Sequence, residues 1–182
     1  MEFVKITKLN INQATDIQLN IFKDKKECAY LHYLNSFISK KDYYIVFKEN
    51  QPVGITGLYI DEFTQEQGVV WLGWFGVLPE NRNKGLGSEI LIETLKLAKK
   101  KGFNTLRLYT SKDNFSACKL YNRIMDFCED YTQENIDGAV VYSKSLRENQ
   151  TAVKFNNKFL NLRWHDLEQE EGYNLYLKEI NK

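Results

Sequence analysis

One sequence feature limits the possible folds of this chain more than any other. It is a strand with apolar residues on both faces that leads, through a glycine-containing turn, into a long amphipathic helix. Every residue of Val69–Val77 is apolar or glycine, which predicts a strand in the middle of a sheet that is covered on both sides. Pro79 ends this strand, and Gly85–Lys101 carries leucine, isoleucine and alanine at helical spacing. A sheet with helices packed on it is therefore the expected framework.

Two glycines, Gly73 and Gly76, interrupt the central strand. Glycine weakens a strand interior and marks either a bulge, where a ligand comes close to the backbone, or a place where a neighbouring side chain needs room. Trp71 and Trp74 are large enough to need that room. The strand taken alone favours neither explanation.

Alternating hydrophobicity and turn signals predict the remaining strands. Tyr43–Phe47 and Val53–Ile60 are expected to form a hairpin, and Ile136–Gly138 is expected to form the turn of a second one. The other predicted strands are Phe3–Leu9, Thr105–Thr110, Phe127–Thr132 and Ala139–Ser145, with Lys158–Trp164 and Tyr173–Ile180 in the tail.

Helical spacing predicts the remaining helices. Residues from about Asn12 to Ser39 are expected to form one broken or two short helices, with Asp16 and Asp24 as candidate N-caps. Asn114 is a candidate N-cap for a further helix that reaches about Ile124. Strands and helices alternate as in an α/β or α+β sheet domain.

The composition of the chain argues against several classes of partner. A length of 182 residues fits one domain, and a net charge of +1 provides no field that favours nucleic acid or an anionic membrane. The N-terminus has no apolar signal-peptide core, and no stretch approaches the roughly 18 apolar residues of a membrane span. We therefore expect a cytoplasmic protein with no nucleic-acid or membrane partner.

Cysteine and histidine usage predicts neither disulfides nor a metal site. Cys28, Cys118 and Cys128 lack Cys-x-x-Cys spacing, and any pairing leaves one thiol over, which fits a reducing compartment. His32 and His165 are far apart and have no Cys, Asp or Glu at ligand spacing. Cys118 also has no base nearby in sequence, so it is expected to be a buried small residue rather than a nucleophile.

The segment between the central strand and the long helix has the features of a pyrophosphate-binding loop. Gly85 and Gly87 let backbone N–H groups approach an anion, the helix start adds unpaired donors, and Arg82 and Lys84 add positive charge. A Walker loop is a poor match because no glycine lies at the required place upstream. A dinucleotide fingerprint is a poor match because Ile90 stands where its third glycine is needed.

Two motifs in this chain resemble those of the GNAT superfamily of acyl-CoA-dependent N-acyltransferases. Arg82–Gly87 is similar to the family signature Arg/Gln-x-x-Gly-x-Gly/Ala, and it follows a central strand with a Val-x-Pro-Glu lead-in. Asn114–Tyr121 resembles the second motif, Asn-x-x-Ala-x-x-Leu-Tyr. The resemblance covers about Tyr43–Leu146. One departure is that Met125–Phe127 replaces the usual Gly-Phe pair, which predicts a one-residue insertion at the end of the second helix.

The resemblance implies a mixed, mostly antiparallel central sheet flanked by helices over residues 1–147. Residues 148–182 would then be a C-terminal extension, expected to be a β-hairpin that packs on the core or on a homodimer partner. Acetyl-CoA is the implied co-substrate, and no metal is implied. The residues implied to contact coenzyme A are Phe75, Gly76, Val77, Arg82, Asn83, Lys84, Gly85, Leu86, Gly87, Ser88, Asn114 and Tyr121.

The resemblance also implies direct attack of an amine on the thioester. A backbone N–H near Phe75–Val77 would polarise the acyl carbonyl, and Tyr121 would protonate or hydrogen-bond the departing thiolate. The proton of the amine needs an acceptor, and the central strand has no carboxylate or histidine. We therefore hypothesise removal through ordered water, with Glu62 as the leading carboxylate and Asp61 and Glu129 as further candidates.

The expected function is transfer of an acetyl group from acetyl-CoA to a primary amine of a small molecule. Acetylation of a protein N-terminus or lysine is an alternative that the sequence leaves open. The sequence is also compatible with a non-catalytic acyl-CoA-binding regulatory module and with a nucleotide-binding transferase that uses the same loop.

Overall fold

The computed structural model describes residues 1–23, 25–39, 41–60, 66–133 and 136–155. The strands are β1 (Glu2–Lys5), β2 (Lys41–Lys48), β3 (Gln51–Tyr59), β4 (Val69–Val77), β5 (Thr105–Ser111), β6 (Phe127–Gln133) and β7 (Ile136–Ser145). The helices are α1 (Ile11–Phe22), α2 (Lys26–Ser36), α3 (Leu86–Lys100) and α4 (Phe115–Ile124), with a short 3-10 turn at Pro79–Asn81.

The strands form one seven-stranded sheet in the order β1-β2-β3-β4-β5-β7-β6. β1 pairs antiparallel with β2, and β7 pairs antiparallel with both β5 and β6. β4 and β5 run parallel, and their register covers only three residue pairs, from Val69↔Thr105 to Trp71↔Arg107. The predicted mixed and mostly antiparallel α/β fold is confirmed.

The described residues divide into two compact units. The first contains residues 1–57 and 73–86, and the second contains residues 58–72 and those after 86. The core of the first unit is formed by Ile6, which follows β1, and by apolar side chains from α1, α2, β2 and β3, including Ile17, Tyr33, Ile45 and Ile55. Amphipathic helices and a half-buried sheet face can each bury apolar surface only against the other.

The second unit has a charged side chain at its centre. Arg107 on β5 is 0% exposed, and it donates hydrogen bonds to the carboxylate of Glu66 and to the carbonyl oxygen of Val153, the latter at 2.9 Å. The guanidinium also lies 5.4 Å from the ring centre of Trp71 and 5.2 Å from that of Phe155. A buried charge needs this set of partners, and here they come from the end of the β3–β4 connection and from the segment after β7.

Two predictions about the N-terminal region are wrong. β1 ends at Lys5, well before Leu9, because the Asn10 side chain accepts a hydrogen bond from the Thr7 amide at 2.7 Å and donates to the Lys5 carbonyl oxygen at 3.1 Å. These bonds turn the chain, and α1 begins at Ile11, so Asp16 lies inside the helix and does not cap it. Asp24, the other candidate cap, lies outside the described residues.

The second hairpin turns earlier than predicted. β7 already begins at Ile136, whose partner on β6 is Gln133, so residues 136–138 belong to the strand. A register shift between Tyr131 and Gln133 lets the two strands continue pairing past the Asp-Gly signal. The predicted strands of the tail, at 158–164 and 173–180, lie outside the described residues.

Candidate active site

β4 leaves regular strand geometry at Trp74, whose φ of 44° lies in the left-handed region. This is an unusual conformation for a bulky residue, so the strand is irregular at this point. β3 makes room for the irregularity with two glycines. A Cβ atom on Gly54 would lie 2.3 Å from the carbonyl oxygen of Gly76, and one on Gly57 would lie 3.0 Å from that of Gly73.

Side chains of α1 occupy the space that a side chain at Gly76 would fill. A Cβ atom there would lie 2.4 Å from Cγ2 of Ile21 and 3.1 Å from Cζ of Phe22, so α1 can pack on the strand only because residue 76 is glycine. For Gly76 the structure therefore supports the explanation that a neighbouring side chain needs room. Residues Phe75–Val77 directly follow Trp74 and are half-buried.

The loop between β4 and α3 has the backbone geometry of an anion-binding turn. Asn83 and Gly85 have φ angles of 61° and 80°, and residues 82–85 are exposed. α3 begins at Leu86, so the amides of its first turn have no partners within the helix. Left-handed residues just before a helix start, together with the unpaired N–H groups of its first turn, are features of anion-binding loops and are compatible with the pyrophosphate of coenzyme A.

The two cationic side chains of this loop donate hydrogen bonds to main-chain oxygen atoms in and around the loop. Arg82 Nε donates to the Val77 carbonyl oxygen at 3.1 Å, and its second nitrogen donates to the Ile21 carbonyl oxygen at 3.2 Å. Lys84 Nζ donates to the Glu80 carbonyl oxygen at 2.8 Å. Arg82 therefore ties the end of β4 to the end of α1, a role that its sequence position did not reveal, and its charge stays near the loop.

The second motif forms α4 as predicted. The Asn114 side chain accepts a hydrogen bond from the Ala117 amide at 3.3 Å, which confirms it as the N-cap, and the helix ends at Ile124. Arg123 on α4 donates to Ser88 Oγ at 3.0 Å. The second motif thereby contacts the first turn of α3, where Ser88 is predicted to bind coenzyme A.

Tyr121 is 6% exposed, and its ring centre lies 5.4 Å from that of Tyr142 on β7. Burial raises the pKa of the Tyr121 phenol well above its ordinary value of about 10, and the neighbouring Cys118 and Tyr142 raise it further. Burial and Cys118 likewise raise the pKa of Tyr142, to about 12. Tyr121 is therefore a neutral hydrogen-bond donor across the physiological pH range.

The departure from the usual Gly-Phe pair is accommodated at the end of α4. The Asp126 amide donates to the Ser143 carbonyl oxygen at 3.0 Å, and its carboxylate accepts from Lys144 Nζ at 2.5 Å and from the Ser145 amide at 2.7 Å. Asp126 is thus bonded to β7, and Tyr121 lies within α4, before its end at Ile124.

The predicted coenzyme A contacts fall into two groups. Those from Phe75 to Leu86 belong to the first unit, and Gly87, Ser88, Asn114 and Tyr121 belong to the second. Asp61 and Glu62, candidate proton acceptors, lie outside the described residues. Glu129, the other candidate, accepts a hydrogen bond from the Phe155 amide at 3.1 Å and so has a partner in the tail.

Within the described part of the chain, no group of three or more His, Cys, Asp or Glu side chains is arranged to hold a metal ion. None of the helices in that same part is long and apolar enough to cross a membrane.

The irregular central strand, the exposed loop before α3 and the buried Tyr121 on α4 are each compatible with an acyl-CoA-dependent transferase. Comparison with protein families agrees with this class. The family model described as acetyltransferase (GNAT) family matches residues 11–127, and the chain belongs to this family. It is an acyl-CoA-dependent N-acetyltransferase with acetyl-CoA as its acyl donor. No curated protein sequence matches the chain.

Solved structures share the fold at low sequence identity. An acetyltransferase of the GNAT family from Staphylococcus aureus is 15% identical with a TM-score of 0.59, covering 80% of this chain and 99% of its own. A GNAT family acetyltransferase from Elizabethkingia anophelis with acetyl-CoA bound is 15% identical with a TM-score of 0.57, covering 79% and 97%. The ribosomal-protein-S18-alanine N-acetyltransferase of Escherichia coli is 14% identical with a TM-score of 0.59, covering 85% and 99%.

Proposed function

We propose that this enzyme transfers the acetyl group of acetyl-CoA to a primary amine of a small molecule. The family match supports the reaction type, and the geometry of the loop after β4 supports a donor site at that loop. A net charge of +1 offers no extended field to attract a charged macromolecule, which favours a small acceptor.

The first step assigned to the chain is binding of the donor. The amides from Asn83 to Ser88 are proposed to hold the pyrophosphate, since Asn83 and Gly85 adopt left-handed conformations and α3 presents its unpaired N–H groups at Leu86. Arg82 shapes this loop by its bonds to main-chain oxygens of Val77 and Ile21. Residues 82–85, directly before this helix start, are exposed, so an anion can approach the loop from solvent.

The second step is activation of the thioester carbonyl. A main-chain N–H of Phe75–Val77 is proposed to donate to the carbonyl oxygen as negative charge develops on it. The amine nitrogen then bonds to the carbonyl carbon, the carbon–sulfur bond breaks, and the sulfur leaves as a thiolate. Each amide in such a role contributes on the order of 10²–10³ to kcat.

Tyr121 is proposed to hydrogen-bond the departing sulfur. Because burial raises the pKa of its phenol, full transfer of its proton to a thiolate, whose conjugate thiol has a pKa near 8.5, is uphill. A hydrogen bond from the neutral phenol stabilises the thiolate without that cost. The proton that the amine loses is proposed to pass through ordered water to a carboxylate, with Glu62 as the candidate.

The donor site is tested by Gly87→Glu. A glutamate in the first turn of α3 is favourable for the helix itself, so the fold should survive, but the carboxylate meets the pyrophosphate. Like charges in a binding site cost several kcal/mol, so the coenzyme A affinity measured by calorimetry should fall about a hundredfold or more. Gly87→Lys is the matched control, since it adds similar bulk without the negative charge and should lose much less.

If the Gly87→Glu variant and the unaltered enzyme bound coenzyme A with equal affinity, the assignment of the pyrophosphate to this loop would be wrong. The acceptor class is tested separately by thiol release from acetyl-CoA in the presence of small primary amines, of peptides with a free N-terminus, and of peptides with an internal lysine. Turnover confined to either peptide class would replace the small-molecule assignment by protein acetylation. Binding of coenzyme A without turnover of any acceptor would favour a regulatory module.

A further inference from the structure

The conformation of Trp74 requires support from its surroundings. A bulky residue with a φ of 44° is strained, and such strain persists only where neighbouring contacts determine the conformation. Trp74 directly precedes Phe75–Val77, whose amides are the proposed oxyanion donors. Whatever holds Trp74 in place therefore also sets the direction of these amides.

Two aromatic rings of the first unit, Phe22 and His32, contact the indole, and a third, Tyr43, contacts His32. With Trp74 they form what we call the aromatic clamp (Phe22, His32, Tyr43 and Trp74). The centre of the indole lies 5.3 Å from that of Phe22 at an interplanar angle of 75°, and 5.0 Å from that of His32 at 66°. His32 in turn lies 4.7 Å from Tyr43 at 70°. All three contacts have the edge-to-face geometry that aromatic pairs prefer.

Packing, and not hydrogen bonding, fixes the indole. Its Nε1 atom is buried and has no hydrogen-bond partner among the residues that the structure describes. A buried N–H group without a partner is costly, so the ring contacts must compensate for both this cost and the backbone strain.

Two glycines leave the space in which the rings of the aromatic clamp pack. A Cβ atom on Gly57 of β3 would lie 2.1 Å from Cδ1 of Tyr43, and one on Gly76 would lie 3.1 Å from Cζ of Phe22. Tyr43 is 3% exposed, so its ring cannot move outward without opening the core. His32, on α2, is half-buried and is the member of the clamp that connects this fixed ring to Trp74.

We propose that His32 is a positioning residue for catalysis: its ring transmits the fixed position of Tyr43 to Trp74 and thereby aims the amides of Phe75–Val77. The proposal rests on the proposed function, because it assumes that these amides stabilise the reacting carbonyl. The contacts that carry this proposal are made by the imidazole ring, with Tyr43 on one side and Trp74 on the other. A phenylalanine at this position should therefore replace it.

The test compares His32→Ala with His32→Phe. Since a pair of aromatic ring contacts corresponds to about tenfold in a rate, we expect His32→Ala to lower kcat about tenfold while the KM for acetyl-CoA changes less than about twofold. His32→Phe should recover most of the lost kcat. Ile38→Ala, which removes an 81% exposed side chain just beyond α2, is the control and should match the unaltered enzyme.

A second readout does not depend on turnover. The ¹H–¹⁵N resonances of Phe75, Gly76 and Val77 should shift in His32→Ala and return toward their original positions in His32→Phe. If the unaltered enzyme turns over no acceptor, the proposed function fails, while these resonances still decide whether His32 orders the strand.

Two results would overturn the proposal. Resonances and kcat that are unchanged in His32→Ala would show that Trp74 is held without His32. A His32→Phe variant as slow as His32→Ala would show that the imidazole nitrogens, and not the ring contacts, are what the reaction needs.

Discussion

The buried guanidinium of Arg107 allows a quantitative test of the second unit. In Arg107→Met the long apolar stem is kept, but the carboxylate of Glu66 loses its cation and the Val153 carbonyl oxygen loses its donor. Arg107 is 0% exposed and the Glu66 side chain 20%, so solvent can replace the lost partners only in part. Breaking a buried pair by removing one partner costs about 3–5 kcal/mol.

This loss is large compared with the total free energy of unfolding, which is about 5–15 kcal/mol for a native protein. For a chain of this size it corresponds to a decrease in Tm of roughly 6 to 20 °C. Urea unfolding followed by circular dichroism gives the free energy, and a thermal scan gives the Tm. The matched control is Lys99→Met, which breaks the exposed pair with Glu148 and should cost less than about 1 kcal/mol.

A double-mutant cycle isolates the ion pair. Arg107→Met combined with Glu66→Gln removes both charges, so the double variant should be clearly more stable than the sum of the two single losses implies. The reasoning would be refuted if Arg107→Met cost no more than Lys99→Met, or if the two single losses were simply additive.

Two further predictions concern the tail and the tyrosine. A chain that ends at Gln150 lacks Val153 and Phe155, which contact the Arg107 guanidinium, so its Tm should lie several degrees below that of a chain ending at Phe155; equal Tm values would count against a structural role for residues 151–155. Tyr121→Phe keeps the ring but loses the hydroxyl, and since a hydrogen bond to a charged group is worth about 1.5–3 kcal/mol, kcat should fall roughly ten- to a hundredfold. Because the pKa of Tyr121 is raised, the phenol stays neutral as the pH rises, so this ratio should be constant from about pH 6 to 9. A ratio that decayed toward one with rising pH would contradict the neutral-donor role.

Several elements follow from local sequence alone. The predicted central strand, Val69–Val77, has the bounds of β4, and the predicted start and end of α4 agree with Asn114 and Ile124. Continuous apolar runs, a proline stop and an asparagine cap act within a few residues, so they can be recognised without knowing the fold. The loop motif at Arg82–Gly87 belongs to the same group, since glycines and a helix start are local features.

Other features depend on contacts that are distant in sequence. The Arg82 bond to the Ile21 carbonyl oxygen joins residues 61 positions apart, and the Arg107 bond to the Val153 carbonyl oxygen spans 46. Arg107 lies in a segment whose pattern predicts a strand, but nothing in that segment indicates that its charge is buried. Burial of a charge is decided by the partners that the fold brings to it.

The candidate site shows the same division. The sequence alone determined the family motifs, the glycine-containing loop before α3 and the position of Tyr121 on a helix. Only the tertiary structure revealed that Trp74 has a left-handed backbone, that Phe22 and His32 pack against its indole, and that Tyr43 packs against His32. The physical reason is that a strained conformation has no local sequence preference by which it can be recognised. It depends on packing against rings from α1 and α2 that are distant in sequence.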